Sequence, residues 1–339
     1  MCTCVRVWPR DRMQVIDPMG PDVVVVGQLA RDLVLVTDDV PGPGQARPVR
    51  LRREMLGGKG ANQAVALAQL GMRPILVAVA GDDGVGTQML AQAQRDGIDV
   101  SGVIQRTNTK TGLIVDIVDR SGRWRYLEDL PPSVLLTEKD VTAAGDLFAG
   151  SRWASVQLQQ PARAALVAAT LAREAGCLVM LDGVSADERC RAELLAAATV
   201  LRADPQEAAL LTGATLDRPE DARRAAAELL RQGPSLVALA VGDAGNYFAW
   251  QGQPWGSGEL WLPLTPTPVA DTTGAGDALT AALIAGLDSD GNPERAARLA
   301  AAAAGATVGH PGGRPALTAR ALSEQLALAE SAIERARGS

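Results

Sequence analysis

Two carboxylates flank a turn of small residues in the segment DTTGAGDAL, which spans positions 271–279. Apolar residues follow at helical spacing, so the segment is predicted to be a loop that leads into a helix. The run Gly274–Gly276 can bring backbone N–H groups together at a helix N-terminus, where the helix dipole favours negative charge. Asp277 beside such an anion hole is suited to accept a proton from a hydroxyl group that attacks phosphorus. Asp271 precedes the turn, and a cation-binding role fits it better.

Each acidic motif also has a purely structural interpretation. Asp277 could cap the helix, since Asp is favoured at helix N-termini. A cap does not need a flanking Gly-Ala-Gly run, however, so catalysis is the preferred interpretation. Asp204 and Glu207 could hold Mg²⁺, either directly or through its waters. Asp204 could equally be the N-cap of a helix with Pro205 at the first helical position, and both roles can hold together.

The segment GGKGAN, at positions 57–62, is a second glycine-rich loop that opens a helix. It is not a Walker A motif, because Lys59 is followed by Gly60 where that motif needs Ser or Thr. It does not match the dinucleotide fingerprint either, because Gln63 stands in place of the third Gly. These mismatches exclude a P-loop NTPase and a typical Rossmann dehydrogenase.

Composition limits the class of protein further. The chain has 339 residues, 47% of them hydrophobic, with a net charge of -6 and a pI of about 5.0. This acidity argues against nucleic acid or an anionic membrane surface as the main partner. No apolar run reaches the roughly 18 residues that a spanning helix needs, and the N-terminus lacks the apolar segment of a signal peptide. We therefore expect a cytoplasmic protein in which residues 1–20 are a disordered tail.

Strand and helix patterns alternate along most of the chain. The run DVVVVG at 22–27 and the run PILVAVAG at 74–81 are typical of strands that are buried on both faces. The alternation predicts an α/β fold in which helices cover both faces of a parallel sheet. Two segments, at about 33–55 and 111–130, are predicted to be extended and could pair into a small sheet beside the main one. The glycine-rich loops fall beyond the carboxyl ends of strands, where open parallel sheets bind ligands.

These loops, in this order, resemble those of the PfkB carbohydrate kinases, and GGKGANQAVALAQLG resembles the ribokinase branch specifically. The resemblance extends from about Val23 to Leu317. It implies a ribokinase-like fold, which is a Rossmann-like α/β domain with a small β-sheet lid over the sugar. It also implies one kinase domain over residues 21–339, with the segments at about 33–55 and 111–130 as the lid.

The resemblance implies a role for each loop by position. Asp277 would be the base that deprotonates the sugar hydroxyl, and the groups that stabilise the transferring phosphoryl would be Gly274, Ala275 and Gly276. Residues expected to hold the sugar are Asp32, Gly58, Lys59, Gly60, Ala61, Asn62 and Gln159. Residues expected at the nucleotide are Asp204, Gly242, Asp243, Ala244, Gly245 and Gly276, while Glu207 would organise Mg²⁺ through water. Residues expected around an activating monovalent cation are Asp271, Thr273, Thr307, His310, Gly312 and Ala316.

Several positions depart from the ribokinase pattern, among them Asp204, Ala240 and Ala301 at the expected nucleotide site and two residues at the expected sugar site. Ribokinases usually have Asn where this chain has Ala30, and a sugar-binding Glu where it has Gln159. The resemblance implies a kinase that phosphorylates a primary hydroxyl of a pentose, with ribose as the leading candidate, and that uses ATP, Mg²⁺ and K⁺. The alternatives are a kinase for another sugar, a nucleoside or a sugar phosphate, or a non-catalytic sugar-binding regulator. An exposed edge of the lid also suggests a homodimer.

Overall fold

The computed structural model describes residues 21–121, 123–309 and 312–337. The predicted tail at 1–20 and the predicted site residue His310 lie outside the described residues. The strands are β1 (Val23–Val26), β2 (Ala30–Thr37), β3 (Val49–Gly57), β4 (Pro74–Gly81), β5 (Val103–Arg106), β6 (Leu113–Val118), β7 (Trp124–Asp129), β8 (Trp153–Gln157), β9 (Leu178–Asp182), β10 (Val200–Ala203), β11 (Leu236–Val241), β12 (Gly245–Trp250) and β13 (Gly258–Pro263). The α-helices are α1 (Lys59–Gln69), α2 (Gly84–Arg95), α3 (Glu138–Ala143), α4 (Ala162–Glu174), α5 (Glu188–Ala197), α6 (Pro205–Thr212), α7 (Pro219–Leu230), α8 (Ala275–Asp290), α9 (Pro293–Thr307) and α10 (Ala319–Arg337). Within these ranges, no helix has both the length and the apolar character needed to cross a membrane.

A nine-stranded sheet forms the main body, in the order β13-β12-β11-β10-β9-β8-β1-β4-β5. Every residue of β1 is buried, as its β-branched run predicted. Val23 and Val25 pack into the hydrophobic core on one face of the sheet, and Val24 and Val26 pack into the core on the other face. Helices α1, α8 and α9 complete the first core, and α4, α5 and α7 complete the second. The predicted α/β fold, with helices on both faces of the sheet, is confirmed.

One edge of the main sheet differs from the expected parallel arrangement. Every strand pair from β5 across to β11 is parallel, but β12 and β13 are added antiparallel. Only a short turn joins β11 to β12, and it is too short for the crossover that a parallel neighbour needs. Strand β13 was not predicted, because it is an edge strand in which Leu262 alone is fully buried.

A separate four-stranded sheet, in the order β3-β2-β6-β7, is built from the two segments predicted to be the lid. We call it the lid sheet. Strand β2 pairs antiparallel with β3 and parallel with β6, and β6 and β7 form the predicted hairpin. The register pairs Val34 with Asp116 and Asp116 with Tyr126, which places Asp32, Asp116 and Tyr126 on one face. Pairing of a second copy with an edge of this sheet stays a prediction.

Candidate active site

The N-terminal turns of α1 and α8 meet beside the end of β1. Gly60, in the first turn of α1, packs so closely against Gly27, which follows β1, that a side chain on either residue would collide with backbone. Nδ2 of Asn62 in α1 donates a hydrogen bond to Oδ2 of Asp277 in α8, over 3.3 Å. The fold therefore brings together the two glycine-rich loops that the sequence singled out, although 215 positions separate Asn62 from Asp277.

Asp277 is buried, with 5% of its surface exposed. Besides the bond from Asn62, it accepts a hydrogen bond at Oδ1 from Nε2 of Gln63, at 3.2 Å. Burial, together with the negative charge of Asp182, raises the pKa of Asp277 to about 7, although Lys59 and the two amide donors act in the opposite direction. A carboxyl group with this pKa can exchange a proton at neutral pH, which is what a general base requires.

Gly274 is the N-cap of α8 and has a φ of +74°, a left-handed conformation that favours glycine. Its α-carbon lies so close to the carbonyl group of Gly313 that a side chain at this position would overlap that backbone. The first N–H groups of a helix have no partner within the helix. The Ala275 N–H points to the carbonyl oxygen of Thr272 at 3.4 Å, so the first turn of α8, formed by residues 274–276 beside Asp277, offers an anion mainly the N–H groups of its two glycines and a favourable dipole.

Asp32 belongs to the lid sheet and lies close enough to Asp277 to be affected by its charge. Its side chain is 6% exposed and lies against Gly57 and Gly58. Burial and the charge of Asp277 raise the pKa of Asp32 to about 7, while a hydrogen bond from the Gly58 N–H opposes the rise. Oδ1 of Asp32 and Oδ1 of Asn62 are buried and have no hydrogen-bond partner in the described ranges. Both atoms are acceptors that the hydroxyl groups of a bound sugar could satisfy.

A buried network behind Asp277 was not predicted from the sequence. Oγ of Ser155 donates to Oε1 of Gln63 at 2.8 Å, and Nε2 of Gln63 donates to Oδ2 of Asp182 at 2.8 Å. Oδ1 of Asp182 accepts a bond from Nη1 of Arg202 at 3.1 Å. Gln63 therefore fixes the orientation of both Asp182 and Asp277. One signal was available, because Asp182 ends the buried strand β9, and polar residues at the carboxyl ends of parallel strands point to a site.

Asp204 and Glu207 form the N-terminal cap of α6. Oδ1 of Asp204 accepts a bond from the Glu207 N–H, and Oε2 of Glu207 accepts a bond from the Asp204 N–H, each at 2.8 Å. The capping interpretation is thus confirmed. The carboxylate of Glu207 also faces two cations, since Oε1 lies 3.9 Å from Nζ of Lys59 and Oε2 lies 3.7 Å from Nη1 of Arg202. Burial, with the charge of Asp182, raises the pKa of Glu207, and the two cations oppose that rise.

Asp271 is fully buried, and its hydrogen bonds hold the loop before α8 in place. Its Oδ1 accepts bonds from the N–H and hydroxyl groups of Thr273, at 2.9 and 2.7 Å, and its Oδ2 accepts one from the N–H of Gly312, at 2.8 Å. Burial, with the negative charge of Asp271, raises the pKa of neighbouring Asp116 to about 8. No cationic side chain in the described ranges pairs with Asp271. A bound cation would relieve this uncompensated charge.

The lid sheet is hydrogen-bonded to the same loop. Nε1 of Trp124 donates to Oγ1 of Thr272 at 2.9 Å, and the hydroxyl groups of Tyr126 and Thr273 are hydrogen-bonded to each other. The two aromatic rings stack with their centroids 4.5 Å apart. The hairpin of β6 and β7 therefore closes over the loop that leads into α8.

Two glutamines near the end of β8 differ in burial, and the sequence analysis singled out only one of them, Gln159. Gln159, which the family resemblance assigned to the sugar, lies beyond the strand and is exposed. Gln157, within the strand, is fully buried, and neither of its amide atoms has a hydrogen-bond partner in the described ranges. Its Cβ lies 3.2 Å from the position that a Cβ atom on Gly27 would occupy. Gln157 is therefore a further buried amide near the site, and the sugar-binding role of Gln159 stays a prediction.

The remaining predicted residues lie in two other loops. The turn between β11 and β12 leaves Gly242, Asp243 and Ala244 exposed and Gly245 buried. Oγ1 of Thr307 donates to the carbonyl oxygen of Ala303 at 2.9 Å, and Ala316 is exposed. The nucleotide and cation roles of these residues stay predictions, because their side-chain contacts do not join them to the cluster around Asp277.

Comparison with known proteins finds a family match and several similar proteins. Residues 21–320 match the model of the pfkB family carbohydrate kinase. The chain is 28% identical to ribokinase of Mus musculus over 261 residues, which are 77% of this chain and 80% of that protein. It is 24% identical to deoxyribokinase of Salmonella typhi over 257 residues, which are 76% of this chain and 82% of that protein.

Among solved structures, Arabidopsis thaliana ribokinase complexed with ribose and ATP is similar, with a TM-score of 0.74 and 25% sequence identity. The similarity covers 91% of this chain and 99% of that chain. The family match spans most of the sequence, and the protein therefore belongs to the PfkB family of carbohydrate kinases, which are phosphotransferases with an alcohol group as acceptor.

Proposed function

We propose that this protein transfers the γ-phosphoryl group of ATP to a primary hydroxyl of a pentose, with ribose as the first acceptor to test. The observation that carries the proposal is Asp277, which is buried at the start of α8, has a pKa raised to about 7 and lies beside a first-turn anion hole. The similarity to ribokinases and to a deoxyribokinase supports a pentose acceptor. The ribose and ATP complex of the Arabidopsis relative supports the same pair of substrates.

The site is suited to an in-line displacement. As the acceptor oxygen attacks the γ-phosphorus, Asp277 takes the hydroxyl proton, and the bond to the bridging oxygen of ADP breaks. Positioning and charge stabilisation supply most of the rate in phosphoryl transfer, so the protein needs little covalent chemistry of its own. The N–H groups of residues 274–276 would stabilise the transferring group, while Asp32 and Asn62 offer their free acceptor atoms to the sugar.

The two acidic side chains on the inner face of the lid sheet favour a neutral acceptor over a sugar phosphate. Asp32 and Asp116 share the inner face of this sheet, and both side chains are buried. Neither oxygen of Asp116 has a hydrogen-bond partner in the described part of the chain. With pKa values raised to about 7 and about 8, these two carboxyl groups are partly ionised at neutral pH, so a phosphate beside them would still meet negative charge, whereas the hydroxyl groups of a neutral sugar could form hydrogen bonds with them. The acceptor is therefore expected to carry hydroxyl groups and no phosphate.

A coupled assay of ADP release tests the proposal over a panel of pentoses, other neutral sugars, nucleosides and sugar phosphates. We expect the highest kcat/KM with a neutral pentose, and phosphorus NMR of the product should place the phosphate on the primary hydroxyl. The Asp277→Asn variant, purified in the same way, controls for contaminating kinases. Sugar binding with no ADP release above that control would instead support a non-catalytic sugar-binding regulator.

The position of Glu207 is compatible with a Mg²⁺ ion that is held mainly by the phosphates of the nucleotide. Such an ion keeps several waters and uses one or two carboxylates together with substrate phosphates. Glu207 already faces Lys59 and Arg202, and the described residues contain no cluster of three metal-ligating side chains. We propose that Glu207 would reach the ion through water. When bound, the ion would neutralise charge on the phosphates.

Potassium is expected to activate the enzyme. A monovalent cation beside Asp271 would offset its buried charge and so order the loop that forms the anion hole. Rates measured in potassium, sodium and tetramethylammonium chloride at equal ionic strength check this, and we expect the highest kcat in potassium. Asp271→Asn should lose the preference among the three salts. Equal rates of the unaltered enzyme in all three would contradict the cation site.

The acid limb of the pH–rate profile should report the ionisation of the base. Because the pKa of Asp277 is raised from 3.8 to about 7, its carboxyl group is protonated below that pH and cannot accept the acceptor's proton. We therefore expect kcat/KM to rise with pH through about 7, in a series measured from about pH 5 to about pH 9. The pKa of Asp32 is also about 7, so Asp32→Asn should make the limb shallower without removing it. A flat profile across this range would exclude both groups.

A further inference from the structure

Arg202 is a largely buried arginine to which neither the family resemblance nor the capping motif gives a role. It lies on β10, and 12% of its side chain is exposed. Its Nη1 donates to Oδ1 of Asp182 at 3.1 Å and lies 3.7 Å from Oε2 of Glu207. The guanidinium group is therefore held in place by two carboxylates.

The other end of the guanidinium group faces the anion hole. A Cβ atom placed on Gly276 would lie 2.7 Å from Nη2 and 2.9 Å from Cζ of Arg202, so the group lies directly against the first turn of α8. In the described ranges, Nη2 makes no hydrogen bond, and it is not among the unpartnered atoms that are closed off from solvent. Nη2 is thus an accessible charged donor beside the N–H groups of the hole.

Neutralisation of Asp182 and Glu207 does not by itself account for this arrangement. Glu207 already has a second cation, since Nζ of Lys59 lies 3.9 Å from its Oε1. Arginine differs from lysine in presenting a planar fork of donors that matches the oxygens of carboxylates and phosphates. With one arm of the fork on Asp182, the other arm remains available for a second anion.

We infer that Nη2 of Arg202 binds an oxygen of the γ-phosphoryl group during transfer, while Nη1 stays on Asp182. The inference rests on the proposed function. In the step, the acceptor oxygen forms a bond to the γ-phosphorus, and the bond from phosphorus to the bridging oxygen breaks. The electron pair of that bond leaves with ADP, and the hydroxyl proton passes to Asp277. Arg202 and the hole together stabilise the charge on the three oxygens of the transferring group.

The variant Arg202→Lys tests this role, because it keeps a positive charge near Asp182 and Glu207 but removes Nη2. We expect kcat to fall by about 10²-fold or more. The dissociation constant of an ATP analogue with an imido bridge between the β- and γ-phosphorus should rise by about tenfold or more. The dissociation constant of ADP, which lacks the γ group, should not change. Calorimetric titration measures both affinities, and a purely structural arginine would affect both nucleotides alike or neither.

Arg152→Lys is the matched control. Arg152 is also paired with a carboxylate, at 2.7 Å from Asp288, but it precedes β8 and so lies at the opposite end of the strands from the site. We expect its kcat and both nucleotide affinities to equal those of the unaltered protein. If Arg202→Lys does not fold, the double change Arg202→Gln with Asp182→Asn removes both charges of the pair and supports the same two titrations.

The outcomes separate this inference from the proposed function. Loss of affinity for the ATP analogue alone supports the γ-phosphoryl contact. Equal changes for both nucleotides, or normal turnover by Arg202→Lys, overturn the contact and leave the kinase assignment intact. No turnover by the unaltered protein with any acceptor of the panel overturns the proposed function and the contact together.

Discussion

Replacing Asp277 by Asn is expected to lower kcat by about 10²–10⁴-fold. The amide has nearly the same size as the carboxyl group but cannot accept a proton at neutral pH, so the loss should fall on kcat and not on the KM of the acceptor. Because burial already disfavours the charged form of Asp277, a neutral side chain should leave the thermal unfolding temperature unchanged or slightly higher. Steady-state kinetics and thermal unfolding measure the two effects.

The same substitution at the other end of α8 provides the control. Asp290 is the last residue of this helix, is exposed, and pairs with Arg295 at 2.9 Å. Asp290→Asn should turn over substrate as fast as the unaltered enzyme. Near-normal turnover by Asp277→Asn would remove this residue from the proton transfer.

Replacing Gly274 by Ala should also abolish most of the activity, for a steric reason. The residue has a φ of +74°, and an added Cβ would overlap the carbonyl oxygen of Gly313, which is backbone and cannot rotate away. The loop must shift, and the N–H groups of the first turn of α8 then no longer converge. Removing one donor of such a hole typically costs about 10²–10³ in kcat, and we expect a loss of at least this size.

Gly291 separates the steric effect from backbone strain. It ends the same helix with a φ of +67°, but an added Cβ would meet nothing within 4 Å. Gly291→Ala should therefore cost only the roughly 1–2 kcal/mol of a left-handed non-glycine residue and keep its kcat. Thermal unfolding and kinetics of the two variants, measured side by side, check the contrast. Equal kcat values for the two would show that the geometry at Gly274 is not needed for transfer.

The fold could be predicted where the local pattern reflects burial. The residues of Val23–Val26 and Pro74–Gly81 are all buried, and each run is apolar throughout, so the sequence alone identifies a strand with two covered faces. Strands β5 and β13 could not be predicted in this way. Only Leu262 is fully buried among their residues, and an edge strand of this kind is defined by the neighbour it pairs with and not by an apolar run of its own.

The site residues that lie in local motifs could be predicted from the sequence, and those that only the fold brings together could not. The loops at Gly58 and Gly274 could be found because both glycines have positive φ angles, 86° and 74°, and such glycines recur in short motifs. The residues that orient Asp277 could not be found, because Gln63, Ser155 and Asp182 come from different elements and meet only across the sheet. Gln157 could not be found either, since burial of a side chain near the end of a strand depends on the pleat and not on spacing from a motif, while the sugar role of Gln159 stays a prediction.

The hydrogen bonds from the lid sheet to Thr272 and Thr273 have a thermodynamic consequence. These bonds connect the sheet that would cover the acceptor to the loop that is hydrogen-bonded to Asp271. Ordering of either one therefore lowers the entropic cost of ordering the other. A cation bound at Asp271 would then raise the affinity for the acceptor by some factor, and linkage requires the acceptor to raise the affinity for the cation by the same factor. The affinity of the enzyme for its sugar would therefore depend on the potassium concentration of the surrounding solution. A cell that changes its potassium content would then change the activity of this enzyme at low sugar concentration without changing the amount of enzyme.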